Sequence, residues 1–177
     1  MKPPDNLVSW LEQIVGGPAE FLPVEAAGNR IHVAHWKDKP DPGLLFFATI
    51  GLSVSQMSDP SVELLLAVES PELAWGYAMG FVAAQARGKF AFDVGETIDF
   101  RSKIASDSDM SGFLIVPQMV FPESYDTVKF PDREIQLRQL VPIYNDELQA
   151  IRQRGPAFFG RQRPDVADIR RERVALQ

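Results

Sequence analysis

A chain of 177 residues with a formal net charge of −6 and no cysteine is sized for one large domain, and it excludes disulfides, thiolate nucleophiles and thiolate metal ligands. No apolar run approaches the ~18–20 residues that a membrane span requires, and the opening MKPPDNLVSW lacks the continuous apolar stretch of a signal peptide. The expectation is a soluble, cytoplasmic single domain over residues 1–177. At this size it buries roughly 70% of its unfolded surface and needs no covalent or metal staple.

Leu7, Trp10, Leu11 and Ile14 fall at i, i+3, i+4 and i+7, one stripe of an amphipathic helix over 6–15. Asp5 or Asn6 caps it and Gly16-Gly17-Pro18 stops it. RIHVAHW (30–36) alternates and is β-branched enough for a short strand, closed by the turn-rich KDKPDPG. LLFFATIGLSV (44–54) and VELLLAV (62–68) are near-continuous apolar runs, as strands buried on both faces are. With QMSDPS as a short connection, they read as a hairpin at the centre of the sheet. SPELAWGYAMGFVAAQARGK (70–89) follows as a helix with Ser70 as N-cap, Pro71 first in the helix and Glu72 in the first turn. Apolar residues take almost every face of it, which predicts burial against the sheet. Gly76 and Gly80, four apart, allow close approach to a neighbouring backbone.

Residues 90–110 are acidic and turn-rich, with Asp93, Glu96, Asp99, Asp107 and Asp109. GFLIVPQMVF (112–121) reads as a strand interrupted by Pro117, at an edge or a bulge. REIQLRQLVPI (133–143) reads as a strand ended by Val141-Pro142, since proline gives no ladder donor. Asn145 is then the expected N-cap of a helix over 146–154. Asp146 and Glu147 open that helix and Arg152 and Arg154 close it, each where the helix dipole favours its charge. Gly155-Pro156 breaks the chain before a basic tail with helical content, 156–177. Residues 149–177 carry seven arginines against Asp165, Asp168 and Glu172, a balance of +4, which leaves −10 on residues 1–148. Such a tail either docks on its own acidic body or presents a second, differently charged partner surface. The whole predicts an α+β (mixed α/β) single domain, its central sheet mostly antiparallel or mixed and covered by helices.

Chemistry is sparse. His32 and His35 are three apart, which in a strand sends them to opposite faces, so no shared metal is expected. GLSVS (51–55) is half of a Gly-x-Ser-x-Gly nucleophile elbow without its turn into a helix, which makes Ser53 an ordinary strand serine before it is a nucleophile. No glycine pattern fits a phosphate loop or dinucleotide fingerprint. The prediction is therefore no enzyme, no catalytic residue, no cofactor and no metal. The acidic 93–109 stretch suits a basic protein partner and repels phosphate backbones. The arginine tail has the charge to contact nucleic acid but lacks stacking aromatics beyond Phe158-Phe159.

The order of segments carries one more reading. An N-terminal amphipathic helix, FFATIGLS, VELLLAV, a long apolar helix, VGETID, SGFLIV, and LVPIYNDEL with a downstream Gly155 resembles the suppressor of fused domain family over about residues 6–173. The matching positions are Thr49, Gly51, Leu52 and Ser53; Glu63 and Leu64; Gly95; Gly112 and Phe113; then Pro142, Glu147, Leu148 and Gly155. The resemblance implies a mixed α/β fold whose members bind proteins. A larger animal relative holds a transcription factor of the Hedgehog pathway by a short extended peptide, and single-domain bacterial members are similar to immunity proteins that neutralise toxins. It places this chain as an immunity-type protein-binding module with a basic toxin as partner. A serine, histidine and carboxylate hydrolase and a nucleic-acid regulator stand as alternatives.

Overall fold

The structure, a computed structural model, describes residues 6–55 and 61–176. The N-terminal helix α1 spans Leu7–Val15. It opens on Asn6, whose Oδ1 accepts from the Ser9 amide at 2.9 Å, and closes on Gly16 in the left-handed conformation at φ 90°, as side-chain capping and a glycine stop require. Strand β1 (Glu20–Ala26) turns through Ala27 and Gly28 into β2 (Asn29–Lys37). Both turn residues have positive φ, the geometry that matches a two-residue hairpin to strand twist. Then come β3 (Leu45–Ile50), β4 (Ser61–Val68), helix α2 (Ala74–Ala86), β5 (Thr97–Asp99), β6 (Gly112–Pro117), β7 (Thr127–Lys129), β8 (Glu134–Ile143), α3 (Asn145–Arg154) and α4 (Pro156–Arg161).

One open, mixed sheet collects the strands in the order β1-β2-β3-β4-β8-β6-β5, with β7 on β8. Every pairing is antiparallel except β4 with β8. The β3–β4 hairpin does sit at the middle of the sheet, and its connection over 56–60 lies outside the described residues. Alternation explains its continuous apolar sequence. Leu45, Phe47, Leu64 and Leu66 join the core beneath α2, whereas Phe46, Ala48, Leu65 and Ala67 join the core beneath α1, so both faces are dry. A third core joins Leu114, Val141 and Ile143 to α3, α4 and Val174.

Helix α2 lies close on the sheet because it has glycine where it crosses it. A Cβ at Gly76 falls 2.3 Å from the Phe47 ring, and one at Gly80 falls 2.6 Å from Val24 and 2.8 Å from Val33. The close approach is thus to core side chains and not, as the glycine spacing suggested, to a neighbouring backbone. The helix begins at Ala74, four residues after the expected cap. Ser70 instead closes a turn ahead of it, accepting from the Glu72 amide at 3.0 Å and donating to Asp107 at 2.5 Å.

Proline placement also differs from expectation. Pro117 ends β6 rather than interrupting it, and β6 lies between β8 and β5 rather than at an edge. Strand β8 continues through Pro142, opposite Phe113, to Ile143. Its pairing with β4 stops at Gln139, so beyond that point only one side of β8 is laddered and a missing donor is tolerated. Strand β1, which the sequence reading left out, contains Pro23 and forms the sheet edge, where proline and charge suppress further pairing. The tail is helical only to Arg161 and irregular from there on.

Gly76→Ala is expected to destabilise the fold by about 1–3 kcal/mol through overpacking against Phe47, outweighing the gain in helix propensity of about 1 kcal/mol. Urea unfolding checks this: an unchanged or raised midpoint overturns the close-packing account.

Candidate functional site

Antiparallel pairing of β2, β3 and β4 brings the end of β2, the start of β3 and the end of β4 to one end of the sheet. There the chain leaves an open groove of about 1010 Å³, walled by the α1–β1 turn, the β2–β3 loop, residues 69–71 and Leu73, with Arg170 of the tail on its border. Trp36 holds the first wall, its Nε1 donating to the Gly17 carbonyl at 2.9 Å. Asp38 holds the loop by accepting from the Gly43 amide at 3.1 Å. His35 is 8% exposed, beside Phe47, with Nε2 3.8 Å from the Glu20 carboxylate. Burial lowers its pKa, and Glu20 opposes that. His32 lies exposed on the other face of β2, as its odd spacing from His35 requires. Among the described residues no three acidic or histidine side chains are grouped to hold a metal ion.

A smaller cavity of about 300 Å³ adjoins it, bounded by Asp107, Asp109, Tyr144, Ile169 and again Arg170. The five acidic residues singled out in the sequence divide here. Asp107 and Asp109 share this cavity. Lys103 pairs with Asp109 and holds its carboxyl below the ordinary range. Asp99 ends β5 and accepts from the Arg101 amide at 2.8 Å. Asp93 and Glu96 lie in the turn before β5, where the Asp93 carbonyl accepts from the Glu96 amide, and neither borders the cavity.

The positions that carried the resemblance gather at two buried carboxylates. Glu63 on β4 accepts from Thr49 Oγ1 at 2.6 Å, Ser53 Oγ at 2.7 Å, the amides of Gly51 and Ser53 at 3.0 Å each, and the Leu52 amide at 3.3 Å. Thr49 in turn accepts from the Leu64 amide. The Ser53 hydroxyl is therefore a donor to a fixed carboxylate, in a 3₁₀ turn over Ser53–Ser55. Burial pushes the Glu63 carboxyl above its ordinary range, and these donors pull against it.

The second carboxylate, Glu147, corrects the sequence reading most. Asn145 is the first helical residue of α3 and Tyr144 its N-cap. Glu147 is wholly buried rather than a solvated first-turn charge. Arg171, 24 residues away, donates to both of its oxygens, at 2.7 and 2.8 Å, a bidentate fork. The Tyr144 and Val174 amides complete the carboxylate at 3.1 and 2.9 Å. Arg171 also donates to the Pro142 carbonyl at 3.3 Å, and its guanidinium lies over the Tyr144 and Phe159 rings. The remaining glycines are places of close approach: a Cβ at Gly112 falls 2.6 Å from Leu148, and one at Gly95 falls 3.0 Å from Pro156. Gly155 closes α3, its amide donating to the Ile151 carbonyl. Sequence reasoning missed the groove and the burial of Arg171. The only signal for Arg171 was its place between Ile169 and Val174, both buried.

A mixed sheet with helices on it, a groove at one strand end and a C-terminal strap locked by a buried ion pair make up an α+β domain whose sequence matches one known family. The model of that family, the suppressor of fused protein (SUFU), matches residues 28–172, and the chain belongs to this family. Among solved structures it is similar to a chain of the Sufu–Fu complex (TM-score 0.69, 15% identity, 97% of this chain and 92% of that one). It is also similar to a protein of Neisseria gonorrhoeae FA 1090 described as a suppressor of fused homolog (TM-score 0.67, 12% identity, 90% of each chain). Drosophila Suppressor of Fused matches at a TM-score of 0.56 and 14% identity; 81% of this chain covers 42% of that one. No curated protein sequence matches the chain.

Two substitutions test the buried carboxylates. Arg171→Ala leaves Glu147 buried without its cation and is expected to cost about 3–5 kcal/mol, with early proteolytic cleavage within 162–176. A stable, protease-resistant variant contradicts the latch. Because the folded pKa of Glu63 lies above its unfolded value, the stability it contributes is full below the unfolded pKa and is lost as pH rises through the folded one. Glu63→Gln is expected to abolish that slope, so its deficit relative to the parent narrows with rising pH in parallel denaturation curves. A constant gap refutes the assignment.

Proposed function

We propose that the chain is a non-enzymatic protein-binding module, and within that class an immunity-type protein that neutralises a basic toxin by occluding its active site. The observation that carries the proposal is the open groove at the strand ends, which has the volume for several side chains of a partner and is walled by turns. The fold is that of a chain solved in the Sufu–Fu complex, a precedent for protein binding. The commitment of the Ser53 hydroxyl to Glu63 supports a role without catalysis. The acidic balance of residues 1–148 favours a partner of opposite sign and fast, steered association. Arg171 and Arg173 pair with Glu147 and Asp146, which supports a tail docked on its own domain over one reaching for nucleic acid.

Co-expression with the product of the adjacent gene tests the reading. The expected result is rescue of growth and a complex that survives purification and weakens as salt is raised. No complex and no rescue overturn the toxin reading.

A further inference from the structure

The outward edge of α2 is an apolar surface that the described residues leave partly exposed. From Leu73 to Gln85 the exposed positions are Leu73, Tyr77, Phe81 and Gln85, four apart throughout, so a single line of side chains emerges from an otherwise buried helix. Leu73, Tyr77 and Phe81 stand 38%, 47% and 41% exposed. A helix edge with no task accepts Glu, Lys or Gln at no loss of propensity; an aligned apolar row marks an interaction site. Phe81 sets its ring edge-on to Phe100, centroids 6.1 Å apart, which widens the row onto the neighbouring coil. Leu73 also borders the groove, so the two surfaces are continuous. At 1.5 Å per residue the row runs about 12 Å.

Carboxylates outnumber cations beside the row, where Arg101 and Lys103 stand on the same coil as Asp99, Asp107 and Asp109. Glu72 accepts from the Ser106 amide and hydroxyl, Asp107 from Ser70, and Asp99 from the Arg101 amide. These donors are all neutral. Among the described residues none of the three carboxylates is in a salt bridge, and Lys103 on the same coil is engaged by Asp109. We infer that this row takes an amphipathic helix of a partner protein, with apolar residues at spacings of three and four flanked by lysine and arginine. The occupant is a helix because a straight row at i, i+4 is a ridge that packs into the groove of a second helix. It is basic because, among the described residues, three carboxylates there form no salt bridge and outnumber the single cation Arg101 that stands with them. A second copy of this chain instead brings two molecules of charge −6 and two acidic rims together, which opposes pairing. The inference rests on the protein-binding reading and names its partner's surface.

The experiment is selection of helix-forming peptides from a displayed library against the full chain, with charge and apolar spacing randomised. Basic amphipathic helices are expected to be enriched. Tyr77→Glu and Phe81→Glu, with unfolding midpoints near the parent's, are each expected to weaken a selected peptide about tenfold or more. Glu72→Gln with Asp99→Asn is expected to flatten the salt dependence of binding. Should Phe81→Glu fail to fold, Tyr77→Glu and the double amide variant decide. Enrichment of acidic or uncharged helices, no enrichment at all, or concentration-dependent dimers abolished by Tyr77→Glu overturns the inference. Selected helices that ignore the α2 substitutions but are lost on Arg170→Glu overturn it too, while leaving the protein-binding reading of the groove intact.

Discussion

The arrangement of this domain depends on the ion pair between Glu147 and Arg171. Two fully charged groups are withdrawn from water there, a cost of several kcal/mol per ion that only well-placed partners offset. The partners are present: a bidentate fork, two amides on the carboxylate and the Pro142 carbonyl on the guanidinium. Either ion alone is a severe defect, so the pair enforces one position for a tail that otherwise has little regular structure. Around it Tyr144 donates to the Arg171 carbonyl, Ser108 to the Ile169 carbonyl and the Glu69 amide to the Ala167 carbonyl. The tail thereby straps the end of β4, the acidic coil and α3 together.

That strap fixes where the groove is. Strands β4 and β8 form the one parallel pair in the sheet, so their C-terminal ends emerge on the same side. Residues 69–71 follow one and Glu147 follows the other. Arg170 is held beside Arg171 and borders both cavities. Glu63, near the start of β4, closes the opposite end of the same strand. Among the described residues it is buried with no salt bridge, and it is held by five donors from residues 49–53. One carboxylate sets the turn after β3, and the other sets the tail and the groove's border.

How far the sequence revealed this depends on the range of each interaction. A helical stripe exposed α1 and alternation exposed β8, while continuous apolar runs exposed α2 and the β3–β4 hairpin, because burial on one or both faces is written directly into the chain. The strands β5 and β7, three residues each, are too short for a pattern, and in β1 the proline and two glutamates leave only Leu22 and Val24 as its buried alternating pair. The matched positions Thr49, Gly51, Ser53, Glu63, Pro142 and Glu147 were visible, but their purpose was not. A glutamate in the first turn of a helix is locally well placed, and nothing local distinguishes it from one that anchors an arginine 24 residues on. The row on α2 was equally hidden, because an apolar residue at every turn reads as burial until the packed face is known.

The division of the chain into an acidic body and a basic tail acquires a physical meaning from these contacts. Arg171 and Arg173 meet Glu147 and Asp146, and Arg173 also covers the Tyr144 ring, so part of the tail's charge is balanced within the domain. The carboxylates left with neutral donors, Glu72, Asp99 and Asp107, lie along the coil beside α2. Attraction at that surface acts over about a Debye length and falls as salt rises, whereas the apolar row acts only on contact. A partner matched to both is drawn in by charge and retained by burial. The same charge opposes pairing of the exposed row with its own copies.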